Sequence, residues 1–440
     1  MKDSLVRGHW RRLVTVSVIV VGVLVTLSLT SGPAAAGPGA AEKAYVDAYI
    51  KGLVEIGVIT QQQADQLRAK AEAAATEAAK VTPAPKKAWS DTTKVGGYLQ
   101  FRWNDHPDKA SSLGKPDNDF QVRRARIKVE AKPTDRLKGT LQIDLPVGDG
   151  VVDVKDAYGE YYLGDAKETR VRFGQAKVPF GFQIPQSSSR RLTMERTDLK
   201  VMTPGERDQG AWLMYTPKKL HDRFNELKSH HLGTGDFGFL TAGIFNGQGF
   251  NSSEANDSKH FVFRADYPFE CGSGRMGQAG VSILTGDYVT GNAEATANST
   301  TATVPAAAID EHALNFHFYL PPDPWGVQFE YLTGESAALF TPDALDPNTW
   351  FVGQADVDAW YGQFHVKAGE DGTAFVRFDE FDGFKKNGLG ELPSRNDIER
   401  WSFGYAHDID SKTELTVQFD SLEKNGKDDD FFGVQMQYKY

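Results

Sequence analysis

Between Val95 and Tyr440 the chain alternates apolar and polar residues at period two, in run after run of roughly ten residues. From Phe120 to Pro146, Arg124, Arg126 and Lys128 alternate with Ala125, Ile127 and Val129. A turn at Pro133 to Arg136 follows, and then Leu137, Leu141, Ile143 and Leu145 alternate with Lys138, Thr140, Gln142 and Asp144. Successive strand side chains point to opposite faces, so this is an antiparallel hairpin whose two faces meet different surroundings. A soluble sandwich would press the apolar face onto a second sheet. A transmembrane barrel would turn it to lipid and enclose the polar one.

The N-terminus favours the second solvent. Lys2, Arg7, Arg11 and Arg12 precede an apolar run from Leu13 to Thr30, and Pro33-Ala34-Ala35-Ala36 supplies small residues for cleavage. This predicts an export signal over 1–36, with an uncleaved anchor as the alternative. No other long apolar run follows, so the remaining chain can cross a membrane only with strands. The net charge of −10 argues against a nucleic-acid partner. Cys271 is the single cysteine, so no internal disulfide is available.

Residues 37–81 are rich in Ala, Glu, Lys and Gln, which predicts helix, and Thr60-Gln61-Gln62-Gln63 has the form of a capping box opening a second helix. This segment reads as a periplasmic helical hairpin or coiled-coil stalk, or as a solvated arm. A Pro-containing linker over 82–94 leads to the barrel, 95–440.

The connections alternate in length. Short turns at 133–136, 164–168, 321–324, 369–372 and 408–412 interleave with long polar segments, as in barrels with one trimmed and one elaborated end. The alternating runs predict an all-β fold, a transmembrane antiparallel barrel of about sixteen strands behind a short helical arm. Connection 217–236 breaks the pattern, being long where a turn is due, which leaves room for an error of two strands. Aromatics dominate the apolar face, among them Phe101, Trp103, Phe261, Phe263, Phe316, Trp401 and Phe403, and the last run ends on Tyr440.

The polar face carries Gln100, Arg102, Arg124, Arg126, Lys128, Lys138, Arg264, Glu330, Arg377 and Arg400, a set suited to a water-filled lumen. Strict alternation turns Arg123 the other way, and it leaves open which way Tyr158, Glu160 and Tyr162 face. The candidate constriction is Val178 to Asp208, too apolar and Pro-rich for a floppy surface loop. It carries Ser187, Ser188 and Ser189 beside Arg190 and Arg191, a pairing of hydroxyls and guanidinium forks that suits oxyanions. Arg196 either joins them or pairs with Glu195 or the wall to fix the loop.

The stretches VRRARIKVEAKPTDRLKGTLQIDL, DAYGEYYL, VRFGQAKVPFGFQIPQSSSRRLTMERT and AGIFNGQGFN, in that order, resemble the phosphate-selective porin O and P family of outer-membrane channels. The resemblance implies a sixteen-stranded trimeric barrel whose long loop after strand five folds into the pore, with a basic ladder guiding anions. By motif position it assigns the constriction to Arg123, Arg124 and Arg126 and the loop contacts to Ser188, Ser189, Arg190 and Arg191, with Lys177 of the Gly-Gln-x-Lys segment a further candidate; Lys128 joins the candidate set from the alternating lumen face. The chain departs from the pattern in using arginine where phosphate-selective members use lysine, and in the acidic run Asp428-Asp429-Asp430.

The expected function is therefore passage of small anions (phosphate, polyphosphate or chloride) through an outer membrane of lipid and lipopolysaccharide, by a homotrimer without cofactors. A general nonspecific porin and a structural or adhesive barrel with an occluded pore remain the alternatives. An enzyme is disfavoured: Gly233-Thr-Gly-Asp-Phe-Gly238 matches a dinucleotide fingerprint but leads into a strand, and no hydrolase or P-loop motif occurs.

Overall fold

The computed structural model describes residues 40–440 apart from 56, 58, 81–88, 111–115, 146–151, 204–205, 231, 256, 273 and 388–390. The expected export segment and most of the expected linker lie outside the described residues. The chain forms two units, divided near residue 87. In the first, α1 (Ala40–Glu55) and α2 (Gln61–Lys80) make a helical hairpin. Thr60 and Gln63 form the reciprocal capping box, with Thr60 N–H donating to Gln63 Oε1 at 2.9 Å and Gln63 N–H to Thr60 Oγ1 at 3.3 Å. Ile50 and Ala64 are buried, and Arg68 Nε reaches Asp47 Oδ1 at 3.2 Å across the pair.

The second unit is a closed antiparallel barrel of sixteen long strands. Its first half is β1 (Thr93–Ala110), β2 (Pro116–Ala131), β3 (Leu137–Asp144), β4 (Asp153–Leu163), β5 (Thr169–Lys177), β6 (Arg207–Tyr215), β7 (Leu240–Phe245) and β8 (His260–Glu270). The second half is β9 (Met276–Val289), β10 (Ala308–Leu320), β11 (Trp325–Phe340), β12 (Phe351–Lys367), β13 (Gly372–Asp382), β14 (Ile398–Asp408), β15 (Thr413–Lys424) and β16 (Phe431–Lys439). Each strand pairs with its neighbours in sequence, and β16 closes on β1 in register from Tyr98↔Lys439 to Asp105↔Phe432. The C-terminal residue completes the seam, with Tyr440 OH donating to Arg126 O at 2.9 Å.

Burial is inverted relative to a soluble protein. Phe101, Phe261, Phe263, Phe316, Trp401, Phe403 and Tyr438 are exposed, whereas Gln100, Arg102, Arg124, Arg264, Glu330, Arg377 and Gln437 are buried. That is the arrangement expected when lipid bathes the outside and the interior is polar. Tyr161 and Leu163 face outward and Glu160 inward, which settles the direction of β4. Connection 217–236 holds no further strands among its described residues. It forms α3 (Lys218–His230) instead.

The interior is not simply water-filled. The loop between β5 and β6, L3 below, folds inward and glues itself to the wall. Phe180, Ile184, Leu199 and Met202 pack with the inward-facing Trp212, Phe245, Val262, Leu284, Leu332, Tyr361 and Phe381. Burial of each large side chain contributes roughly 1.5–3 kcal/mol. The loop backbone is then fixed by one carboxylate: Glu330 accepts the N–H of Phe182 at 2.9 Å and of Gln183 at 3.2 Å, together with Asn315 Nδ2 and Tyr361 OH at 3.1 Å each. Gly181 has φ +65° and sits so close to Glu330 that a Cβ would collide with the carboxylate.

Glu330→Ala is expected to strip L3 of this anchor and destabilise the folded barrel by about 2–4 kcal/mol, since two backbone donors lose a charged acceptor. The midpoint of the heat-induced mobility shift on denaturing gels measures this, along with protease cutting within 178–206. An unchanged midpoint and an uncut loop would refute the anchoring role.

Candidate functional site

The site forms where L3 meets β1 and β2 about half-way along their length. Arg102 on β1 and Arg124 on β2 face inward by strand alternation. Arg123 joins them through a break in register: Gln100 pairs with Arg124 but Phe101 pairs with Val122, so Arg123 is the extra residue of a β-bulge. A bulge re-aims a side chain that strict alternation would send to the other face. This corrects the alternation reading of Arg123.

All three converge on Glu195 of L3. Arg102 Nη2 lies 3.0 Å and Arg123 Nε 2.8 Å from Glu195 Oε1, and Arg124 Nη2 lies 2.8 Å from Oε2. Arg191 Nη2 approaches Oε2 at 4.0 Å. Four guanidinium groups thus surround one carboxylate, which leaves a local excess of positive charge. Burial alone would raise the Glu195 carboxyl, but Arg124, Arg123 and Arg102 together hold it well below the ordinary carboxylate range. A third of the Glu195 side chain remains open to the lumen, as does a similar share of Arg123.

Neighbouring groups hold the cluster in place. Arg102 Nε and Nη2 donate to Gln435 Oε1 on β16 at 3.1 and 2.7 Å, and Arg124 Nη1 to Gln100 Oε1 at 2.8 Å. The tip of L3 is moored to the far wall. Gln418 on β15 accepts the Met194 N–H at 2.9 Å, and Arg377 on β13 donates to Thr193 Oγ1 at 3.0 Å and Glu195 O at 3.2 Å.

Arg191 is 6% exposed, and its Nε and Nη1 have no hydrogen-bond partner among the described residues; Nη2 donates to Met194 O at 3.0 Å. Burial first, and then the like charges of Arg196 and Arg124, pull its guanidinium well below its usual range. A bound anion would satisfy both conditions at once.

The other sequence-level candidates fall around this centre. Arg126 pairs with Asp144 at 2.8 Å, donates to Tyr98 OH at 2.7 Å and reaches Ser188 Oγ at 3.5 Å. Lys128 shares Glu130 with Lys138, at 3.0 and 3.2 Å, toward the short-turn end of the wall. Lys177 is buried beneath L3 and donates to the carbonyls of Pro185 and Gln186, so its ammonium braces the loop. Ser189 Oγ lies 3.0 Å from Ser187 Oγ. Arg190 points away from Glu195, to the carbonyls of Lys228 and Ser229. Arg196 does not pair with Glu195. It staples L3 through Gln183 O and Gln186 O, both at 2.6 Å, and Glu206 at 2.7 Å.

Arg102 and Glu195 are the members missing from the sequence-level site. Arg102 was on the predicted lumen face, and its place beside Arg124 follows once β1 and β2 are paired. Nothing in the alternation locates Glu195, because it lies in a loop.

The fold and the centre together are those expected of a porin. The sequence profile of the phosphate-selective porin O and P family matches residues 94–363, more than half of the chain. The chain belongs to that family, and hence to the outer-membrane porins of Gram-negative bacteria. No curated protein sequence matches it significantly. Among solved structures, OmpT of Vibrio cholerae in its trimer form is similar at 12% identity, covering 79% of this chain and 99% of that one, with a TM-score of 0.52. The anion-selective porin from Comamonas acidovorans is similar at 11% identity, covering 79% and 99%, with a TM-score of 0.51. These likenesses show the barrel fold.

Glu195→Gln is expected to raise the preference for anions by about twofold or more, because the one carboxylate among four guanidinium groups is neutralised in a narrow, partly desolvated space. Reversal potentials in a potassium chloride gradient report it. A shift toward cations would contradict the charge assignment.

Proposed function

We propose that this porin passes small anions, with phosphate and related oxyanions foremost, through a constriction built from Arg102, Arg123, Arg124 and Arg191 around Glu195. The observation that carries the reading is Arg191, a buried guanidinium with two unpartnered nitrogens beside Arg124. A tetrahedral oxyanion entering from the lumen would meet Arg123 first and could then exchange with Glu195 for Arg124 and Arg191. Charge-assisted hydrogen bonds of this kind are about twice as strong as neutral ones and favour bidentate acceptors. Arg126 and Ser188 supply the next polar contacts, and Lys128 with Lys138 the exit side. Chloride and polyphosphate are further candidate solutes.

The assembly proposed is a homotrimer in lipid and lipopolysaccharide, in line with the trimer form of the similar OmpT structure. Residues 1–36 are assigned to export and 37–81 to a periplasmic arm, with 82–94 as linker, since β1 begins at the short-turn end of the barrel. A less selective pore is the second reading. It is favoured by the saturation of Arg102, Arg123 and Arg124 by Glu195.

Planar-bilayer recording in a potassium chloride gradient, with phosphate then titrated in, tests the proposal. The wild type is expected to reverse on the anion side and to lose chloride current at low phosphate. Arg124→Ala with Arg191→Ala should raise the half-blocking phosphate concentration about tenfold or more, since each lost charge-assisted bond is worth ~1.5–3 kcal/mol. Stable conductance in the wild type without phosphate block would establish the less selective pore.

A further inference from the structure

The connection from β6 to β7 is long at the end of the barrel where the other turns are tight, and the anion reading gives it no task. Its helix α3 lies against β8 and β9 and carries Phe224 and Leu227 fully buried. A surface turn in bulk water would not hide two such side chains. Beyond the helix the chain runs as a strap into the lumen. Leu232 packs with Leu192 of L3 and with Phe375 of β13 and Ala406 of β14, which belong to the far wall near its short-turn end. Thr234 accepts from Gln278 Nε2 of β9 at 2.7 Å, and Asp236 returns to the near wall through Arg170 of β5 at 2.7 Å.

We propose that α3 and the strap 232–236 form a second internal barrier, lying across the periplasmic side of the lumen below L3, which limits pore size and conductance in series with the arginine constriction. The proposal rests on the porin reading and adds an element to it. L3 holds the barrier in place. Arg190 donates to the carbonyls of Lys228 and Ser229, the last turn of α3, where a cation both caps the open carbonyls and meets the negative end of the helix dipole. Gln186 Nε2 donates to Leu232 O at 2.8 Å. Arg223 ties the helix to Glu270 at the end of β8, at 3.0 Å.

Two readouts separate this barrier from the anion site: permeability ratio reports the arginine cluster, and single-channel conductance reports the barrier. In the full-length chain, residues 217–238 are replaced by a two-residue Asn-Gly turn joining Thr216 to Phe239. Heat-modifiable gel mobility confirms that the barrel has folded. Conductance is expected to rise about threefold or more, and liposome swelling should admit larger sugars, with the anion-to-cation ratio unchanged. Unchanged conductance in this folded variant would overturn the proposal.

If the shortened chain does not fold, Arg190→Ala with Leu232→Ala in the intact connection gives the second test. Releasing the strut is expected to split the open state into two levels, the new one larger. A single level of wild-type size and noise would overturn the proposal. A changed anion-to-cation ratio in either variant without a change of conductance would also overturn it.

Discussion

A backbone N–H or C=O in hydrocarbon has no water to turn to, so a chain that crosses a membrane with strands must pair every one of them with another strand. Everything else here follows from the β1–β16 seam that completes this pairing. Closure leaves no edge in lipid, and it divides each strand into an outer side chain that lipid must accept and an inner one that it never meets. Aromatic and aliphatic residues therefore fill the outer face. The inner face is free to carry arginines at 0–9% exposure, because their partners are other side chains of the same wall and of L3.

A sixteen-stranded barrel is too wide for its own inward side chains to fill, so an element must enter if the lumen is to be narrow. L3 does so as a folded part of the protein. One half of it shares a hydrophobic cluster with β6 to β13, and the other is moored by hydrogen bonds to β1, β13, β15 and β16. Arg196 and Lys177 are buried and their N–H donors go to loop carbonyls, so these hydrogen bonds stiffen the loop. The basic residues at the loop thus divide into those that hold its shape and those that gather at Glu195.

That division explains what was legible in the sequence. Period two placed all sixteen strands, and the length and apolar character of 178–208 marked the loop that folds inward. Arg124 and Arg191, which meet at Glu195, were singled out because one sits on an alternating face and the other beside a serine cluster. Arg123 depended on a bulge, a one-residue event that alternation cannot register. Arg190 looked like Arg191 in sequence but turns to the carbonyls of α3, whereas Arg191 is buried beside Glu195. Helix α3 left a signal that was available: Leu220, Phe224 and Leu227 stand at helical spacing just after Pro217, where strand logic demanded a turn. A long segment at the short-turn end was more economically a helix than two extra strands.

Glu195 shows how a cationic constriction can be built at all. Three guanidinium groups brought within hydrogen-bond reach of one point would repel one another and spread their side chains into the lumen. A single carboxylate at their centre fixes their positions before a solute arrives, and costs only one of the positive charges. Under the proposed function, an arriving anion would compete with a carboxylate, not with water, for arginines already aimed inward. Such competition would favour fast exchange: an oxyanion with bidentate geometry would displace Glu195 for a moment, and the returning carboxylate would help to expel it. A channel needs both, since a solute bound as tightly as four unopposed guanidinium groups would hold it could not pass at a useful rate.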